Sequence, residues 1–257
     1  MLKRLWSYRH LVLALVRMQY QLRFRQSLIG VVWAVVPPLA TLGMAVLVFD
    51  RVAGIDTGGV PYALFALAGL APWTFFANSL MFGIPAVVQA PQLVSRLSFP
   101  KAVLPISMVG VSLIDLGIAG GILAVIVYAT GNGLSVASLW LPALVLTEIV
   151  LAAGLVLLAS ALNVFARDLR VALPIVVQLL LFLTPVMYPL AAVPPGLHAW
   201  YRLNPMTGLV ESFRGVLIAG TSPSAELWLP AVAGAILAFA IGSWYFSSTE
   251  RRFADVL

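Results

Sequence analysis

The sequence predicts an all-α integral membrane protein: six transmembrane helices, an N-terminal amphipathic helix at the membrane interface and an external re-entrant helix hairpin. Three observations predict it. Of 257 residues, 62% are apolar and 9% charged, and the mean hydropathy is +1.04. A soluble domain carries about 25% charged residues, so this chain cannot cover its own surface with polar side chains. The apolar residues come in long runs: 26–49, 57–95, 116–147, 149–166, 171–201 and 227–249 hold no charge. A helix needs about 20 such residues to cross the hydrocarbon. Period-two alternation, the mark of an outer-membrane barrel, is absent, and helices satisfy their own backbone groups in lipid.

The same arithmetic excludes an ordinary soluble enzyme, a disordered chain and a disulfide-rich module. With no Cys there are neither disulfides nor thiolate metal sites. His10 and His198 stand far apart and form no ligand spacing, so both read as surface or interface histidines, and no metal site is expected. No cluster of His, Cys or carboxylates is available for catalysis. The phosphate loop G-x-x-x-x-G-K-[ST] is also missing, so this chain holds no ATP site of that kind.

The six spans fall at roughly 29–49, 62–84, 103–128, 139–163, 172–190 and 227–247. The connections lie at punctuation: a Gly-rich loop at 50–60, a longer connector at 86–101, a tight GNGLS turn at 131–135 and a short RDLR loop at 167–170. An even count puts both termini on one side. If that side is cytoplasmic, 12 of the 15 basic residues are inside and only Arg51, Arg202 and Arg214 are outside, which obeys the positive-inside rule. A pI near 10.1 would suggest nucleic acid in a soluble protein. Here it reports cytoplasmic loops, and no nucleic-acid partner is expected. The first apolar run, Leu11–Val16, is short, broken by Arg17 and followed by no small-residue cleavage site, so it is not a cleavable signal peptide.

Residues 1–27 read as an interface helix. Leu2, Leu5, Trp6, Leu13, Val16, Tyr20 and Phe24 fall within an arc of about 100°, although Arg9 and Arg23 share it. Near the other end of the chain, Pro194-Pro195-Gly196 breaks the backbone. Asn204 can cap a helix with Pro205 at its first position. Met206, Leu209, Val210, Phe213, Val216 and Leu217 then line one face, and Glu211 and Arg214 sit three apart and can pair. This reads as a short hairpin dipping into the membrane over 191–218, the alternative being an amphipathic helix lying flat on the outer surface. Trp140, Trp200, Tyr201 and Trp228 mark an interfacial belt. Asp115 and Glu148 stand near mid-span with no basic residue close in sequence, and a membrane carboxyl is a functional candidate by default. They could accept sugar hydroxyls in a hydrated pore, carry protons, or bond to a neighbouring helix. Gly117-xxx-Gly121 permits close helix contact.

Five stretches, in order, carry a resemblance. LVRMQYQLRFRQSLIGVVWAVVPPL (15–39), FALAGLAPWTFFANSL (65–80), LVSRLSFPKAVLPIS (93–107), LNVFARDLRVALPIVVQLLLFLTPVMYPL (162–190) and LNPMTGLVESFRGVL (203–217) resemble the permeases of the type 2 ABC group that export polysaccharides. The resemblance covers nearly the whole chain as a single transmembrane domain, 1–257. It implies a homodimer of six-span subunits in the bacterial inner membrane. Two separate nucleotide-binding subunits would hold the ATP and Mg, with no cofactor in this chain. The cargo would be a lipid-linked glycan such as O-antigen, teichoic acid or capsule, and membrane lipids would surround the dimer.

The resemblance also implies roles for residues. Tyr20, Arg23, Arg25 and Trp33 would border the entrance for the diphosphate head of the lipid carrier. Residues 86–101 would couple to the ATPase through Arg96, Phe99 and Lys101, with Arg167 and Asp168 as a second contact. Trp73, Phe75, Phe76 and Tyr188, near the matched motifs, are candidates for an aromatic lining on which sugar rings slide, beside Asp115 and Glu148. Two other functions are weighed: an ABC-type export permease for drugs or small lipids, and a proton-coupled carrier using Asp115 and Glu148.

Overall fold

The computed structural model describes residues 2–24, 36–52, 54, 56–96, 99–129, 135–166 and 168–256, and all regular structure among them is helical. Two helices lead, α1 (Leu2–Ser7) and α2 (Arg9–Phe24). α3 (Val36–Ala45) widens into a π-helical stretch over Val46–Val52. Then come α4 (Tyr62–Gly83), the short α5 (Pro91–Arg96) and α6 (Val103–Ala129). α7 (Leu141–Phe165) follows a 3-10 turn, and α8 (Asp168–Leu183) follows α7. Two short helices, α9 (His198–Leu203) and α10 (Pro205–Arg214), precede α11 (Ala225–Thr249) and a final turn, α12 (Phe253–Val256).

Among the described residues, four helical stretches are long and apolar enough to cross a membrane: Tyr62–Gly83, Val103–Tyr128, Val136–Phe165 and Ala225–Arg252. These are the second, third, fourth and sixth expected spans. Residues 29–35 of the expected first span lie outside the described residues. The fifth differs from expectation: α8 has 16 residues and stops at Leu183 rather than running to 190. The physical reason is Pro185, which disfavours helical geometry at Thr184. The chain turns there, Val186 N–H donating to the Thr184 carbonyl at 2.7 Å.

α4 is the central helix, buried around most of its circumference. That is what a helix apolar on every side should do. It packs against α6, α7 and α10. Lipid removes the usual hydrophobic gain for helix association, so close van der Waals packing must hold the bundle. Glycines provide it where α7 crosses α11. A Cβ on Gly154 would fall 2.4 Å from Phe239 N, and one on Gly242 would fall 2.1 Å from Gly154 O. The two backbones touch with no side chain between them. A Cβ added at Gly117 or Gly121, by contrast, would meet nothing within 4 Å among the described residues.

α2 lies along α6, with Val16 seated over Gly110, where a Cβ would meet Val16 Cγ2 at 2.7 Å. Its inner side carries Val12, Leu15, Val16, Gln19 and Tyr20, all partly buried. This side takes in Val16 and Tyr20 of the expected apolar arc. Trp6 and Leu13 are 72% and 63% exposed, while Leu15, excluded from that arc, packs inward. The seat at Gly110 sets the rotation of the helix.

The bundle has two distinct ends. At the connector end, the Lys101 backbone N–H donates to the Glu250 carboxylate. Phe253 is fully buried there, edge-on to Phe246 with centroids 5.2 Å apart and 6.0 Å from Phe165. At the opposite, aromatic end, Trp140 and Trp228 meet edge-on at 5.1 Å. Ser135 Oγ there donates to the carbonyl of Gly220, whose φ of 64° favours glycine.

Candidate functional site

The last turn of α2 carries Arg23, a favourable place for a cation. Its Nη1 donates to Asp115 Oδ2 at 2.5 Å. Asp115 lies twelve residues into α6, about 18 Å along the helix. The Asp115 side chain is 7% exposed and that of Arg23 30%. The Arg23 guanidinium also sits 5.4 Å over the Phe82 ring. Two residues expected at separate places, one at an entrance and one in a pore, thus form one ion pair.

The pair stands in the wall of a cavity of about 240 Å³, with Thr41, Trp73, Thr74 and Asn78 among its other lining residues. Among the described residues, Asp115 Oδ1 is buried and has no hydrogen-bond partner. Buried acceptors are normally satisfied, so a residue of this wall holds an unmet acceptor, beside three polar side chains and an indole. Thr41, Thr74 and Asn78 carry no sequence signal of their own: they become polar neighbours only once α3, α4 and α6 converge.

A second organised centre lies at the aromatic end. Arg214 is 5% exposed. It donates to the carbonyls of Phe65 (3.3 Å), Pro185 (2.6 Å) and Val186 (2.5 Å), and to Glu211 Oε1 (2.9 Å). Its guanidinium lies 3.7 Å over the Phe65 ring. Gly69 makes the room, since a Cβ there would fall 2.7 Å from Arg214 Nη2. The pairing with Glu211 expected from sequence is present, but the reach to α4 and the Thr184 turn is not visible from spacing. Asn204 caps α10, accepting from Met206 N–H at 3.0 Å, and donates to Thr184 Oγ1 at 2.9 Å. Tyr62 O–H donates to the Met187 carbonyl at 2.7 Å. α10 is therefore tied to the ends of both α4 and α8.

The remaining candidates fall as follows. Arg25, Trp33 and Arg167 lie outside the described residues. Arg96 closes α5, but its side chain also lies outside them. Tyr20 is partly buried on the α6-facing side of α2. Trp73, Phe75 and Phe76 are all buried in the core; Trp73 and Phe75 reach the Asp115 cavity. Trp73 and Phe76 reach a second, apolar cavity of about 380 Å³ that Leu155, Asn204, Met206 and Ile241 also line. Tyr188 lines neither cavity. Its O–H donates to the Phe182 carbonyl at 2.5 Å and stands 2.9 Å from Tyr201 Oη. Glu148 is fully buried, with neither oxygen bonded among the described residues. At the connector end, Lys101 Nζ lies 4.8 Å over the Phe99 ring, and partial burial moves its ammonium below the usual range against the pull of Glu250. Asp168 opens α8, exposed.

The chain is 28% identical to the O-antigen export system permease protein RfbA of Myxococcus xanthus, over 99% of this chain and 98% of that one. It is 24% identical to a Klebsiella pneumoniae protein of the same name, over 96% and 95%. It is 23% identical to the polysialic acid transport protein KpsM of Escherichia coli, over 80% and 81%. Residues 10–218 match the family described as ABC-2 type transporter, to which this chain belongs.

Proposed function

We propose that the chain is the transmembrane permease subunit of an ATP-driven exporter that moves a lipid-linked polysaccharide from the cytoplasm across the bacterial inner membrane. The observation that carries this reading is the near end-to-end likeness to permeases named for O-antigen export. In this reading six spans cross the bilayer, α3 with the residues before it and α8 supplying the two beyond the four long helices. Both termini are cytoplasmic, so the connector end faces the ATPase. α9 and α10 form the re-entrant hairpin over 191–218.

The working unit is a homodimer with two nucleotide-binding subunits that hold ATP and Mg. α3 and α8 expose apolar surface that a second copy could cover: Leu39 and Met44 on one, Val171, Ile175 and Leu179 on the other. Gln178 is exposed among the latter, and lipid offers an amide no hydrogen bond whereas a second subunit does. The head of the lipid carrier enters by Tyr20, Arg25 and Trp33, with Arg23 beside them held by Asp115, and the glycan passes Trp73, Phe75, Phe76 and Tyr188. ATP-driven approach of the partner subunits moves residues 86–101.

Depletion of the chain in its host is the test. Lipid-linked glycan should accumulate on the cytoplasmic leaflet while surface glycan falls. Normal surface glycan, with a drug or small lipid retained instead, would favour the other export reading. Transport that persists without the ATPase and collapses with the proton gradient would favour a carrier.

A further inference from the structure

We propose that the Arg23–Asp115 cavity is a binding site for a single neutral sugar ring, read by hydroxyl groups that donate to Asp115. The proposal rests on the glycan-export reading and adds a recognition site inside each subunit. Four observations point to this ligand class. The paired charges cancel, so the cavity lining carries no net charge to draw in an anion. A phosphate group is an anion at neutral pH, and it would have to face the Asp115 carboxylate or strip Arg23 from it. An amine would meet the Arg23 guanidinium. A hydroxyl suits both partners, because it donates to Oδ1 and accepts from other groups.

The unmet acceptor strengthens the case, since a small shift of the carboxylate would bring it to a ligand hydroxyl. The Asp115 side chain is more than nine-tenths buried, it lines the cavity, and its Oδ1 bonds to nothing among the described residues. Thr41, Thr74 and Asn78 each add a donor and an acceptor. Trp73 supplies an apolar aromatic wall of the kind that supports the C–H face of a sugar. At about 240 Å³ the space is below the roughly 300–1,000 Å³ of drug-sized pockets, which suits one ring and not a chain. Asp115 is then the residue that touches the ligand, and Arg23 is a positioning residue that fixes the carboxylate through Oδ2.

The test uses the permease with its ATPase partner in lipid nanodiscs. Saturation-transfer NMR is recorded with the methyl α-pyranosides of glucose, mannose and galactose, one at a time, and with sodium pyrophosphate as competitor. At least one pyranoside should bind with millimolar affinity. Asp115→Ala should weaken it at least tenfold, and Arg23→Gln should weaken it less. A tenfold excess of pyrophosphate should leave binding unchanged. If Asp115→Ala does not insert, Asn78→Ala with Thr74→Val keeps the ion pair and should still weaken binding several-fold. Displacement of the sugar by pyrophosphate would overturn the proposal in favour of an anion site. So would binding by none of the three sugars, or binding indifferent to these substitutions. Failure of the export reading is seen separately, as the absence of lipid-linked glycan build-up on depletion.

Discussion

Arg214 commits its donors to three backbone carbonyls and one carboxylate, all inside the protein. Removing it leaves those acceptors without their donor. Unmade buried hydrogen bonds cost about 1–3 kcal/mol each, so Arg214→Leu should destabilise the subunit by about 3 kcal/mol or more. Thermal unfolding in detergent, followed by the loss of monodisperse protein, measures this. Gly69→Val should produce a similar loss by filling the guanidinium's space. The double variant should be clearly less than additive, because both changes break one arrangement. Glu148 should behave in the opposite way. Its oxygens bond to none of the described residues, so they contribute desolvation cost and no described hydrogen bond. Glu148→Met should leave the unfolding midpoint unchanged or raise it. A marked fall would reveal that the assembled transporter supplies this carboxyl with a partner.

At the scale of elements, the α7–α11 crossing is the least forgiving contact. Gly154→Leu should prevent the helices from meeting, and the expected result is a sharp loss of folded protein in the membrane fraction. Gly234→Ala, whose Cβ would press on the edge of the Pro205 ring at 2.6 Å, is a milder comparison. Charge reversal at Arg96, the last residue of α5, should reduce stimulation of the partner ATPase while the permease still purifies as a folded protein. Unaltered stimulation would remove α5 from the coupling path.

Elements were legible in the sequence wherever composition alone decides. Long apolar stretches located the four long spans, two of them interrupted by a single carboxyl, and Asn204-Pro205 located the start of α10. The end of α8 was harder to read, because Leu183 to Leu190 stays apolar past the helix and only Pro185 marks the stop. The rotation of α2 was not legible either. Its sequence offers two apolar sides, and Gly110, 94 residues beyond Val16, selects between them.

The whole molecule explains why the site was harder to read than the fold. Arg23 and Asp115 are 92 residues apart, and each has a sensible role alone: a basic flank, a pore carboxyl. Their meeting is a product of α2 lying along α6, which no local pattern records. The same holds for Arg214, whose partners come from α4 and from the turn after α8. Residue types marked the right groups, but packing assigned their partners.

The bare crossing of α7 and α11 also governs how such a molecule could move. Where side chains mesh, one helix can slip past another by a change of rotamer. Where backbone rests on backbone, no such lubricant exists, and displacement requires the two helices to separate altogether. α7 and α11 therefore travel as one frame. A stroke that opens a path for cargo is then made by other helices against that frame.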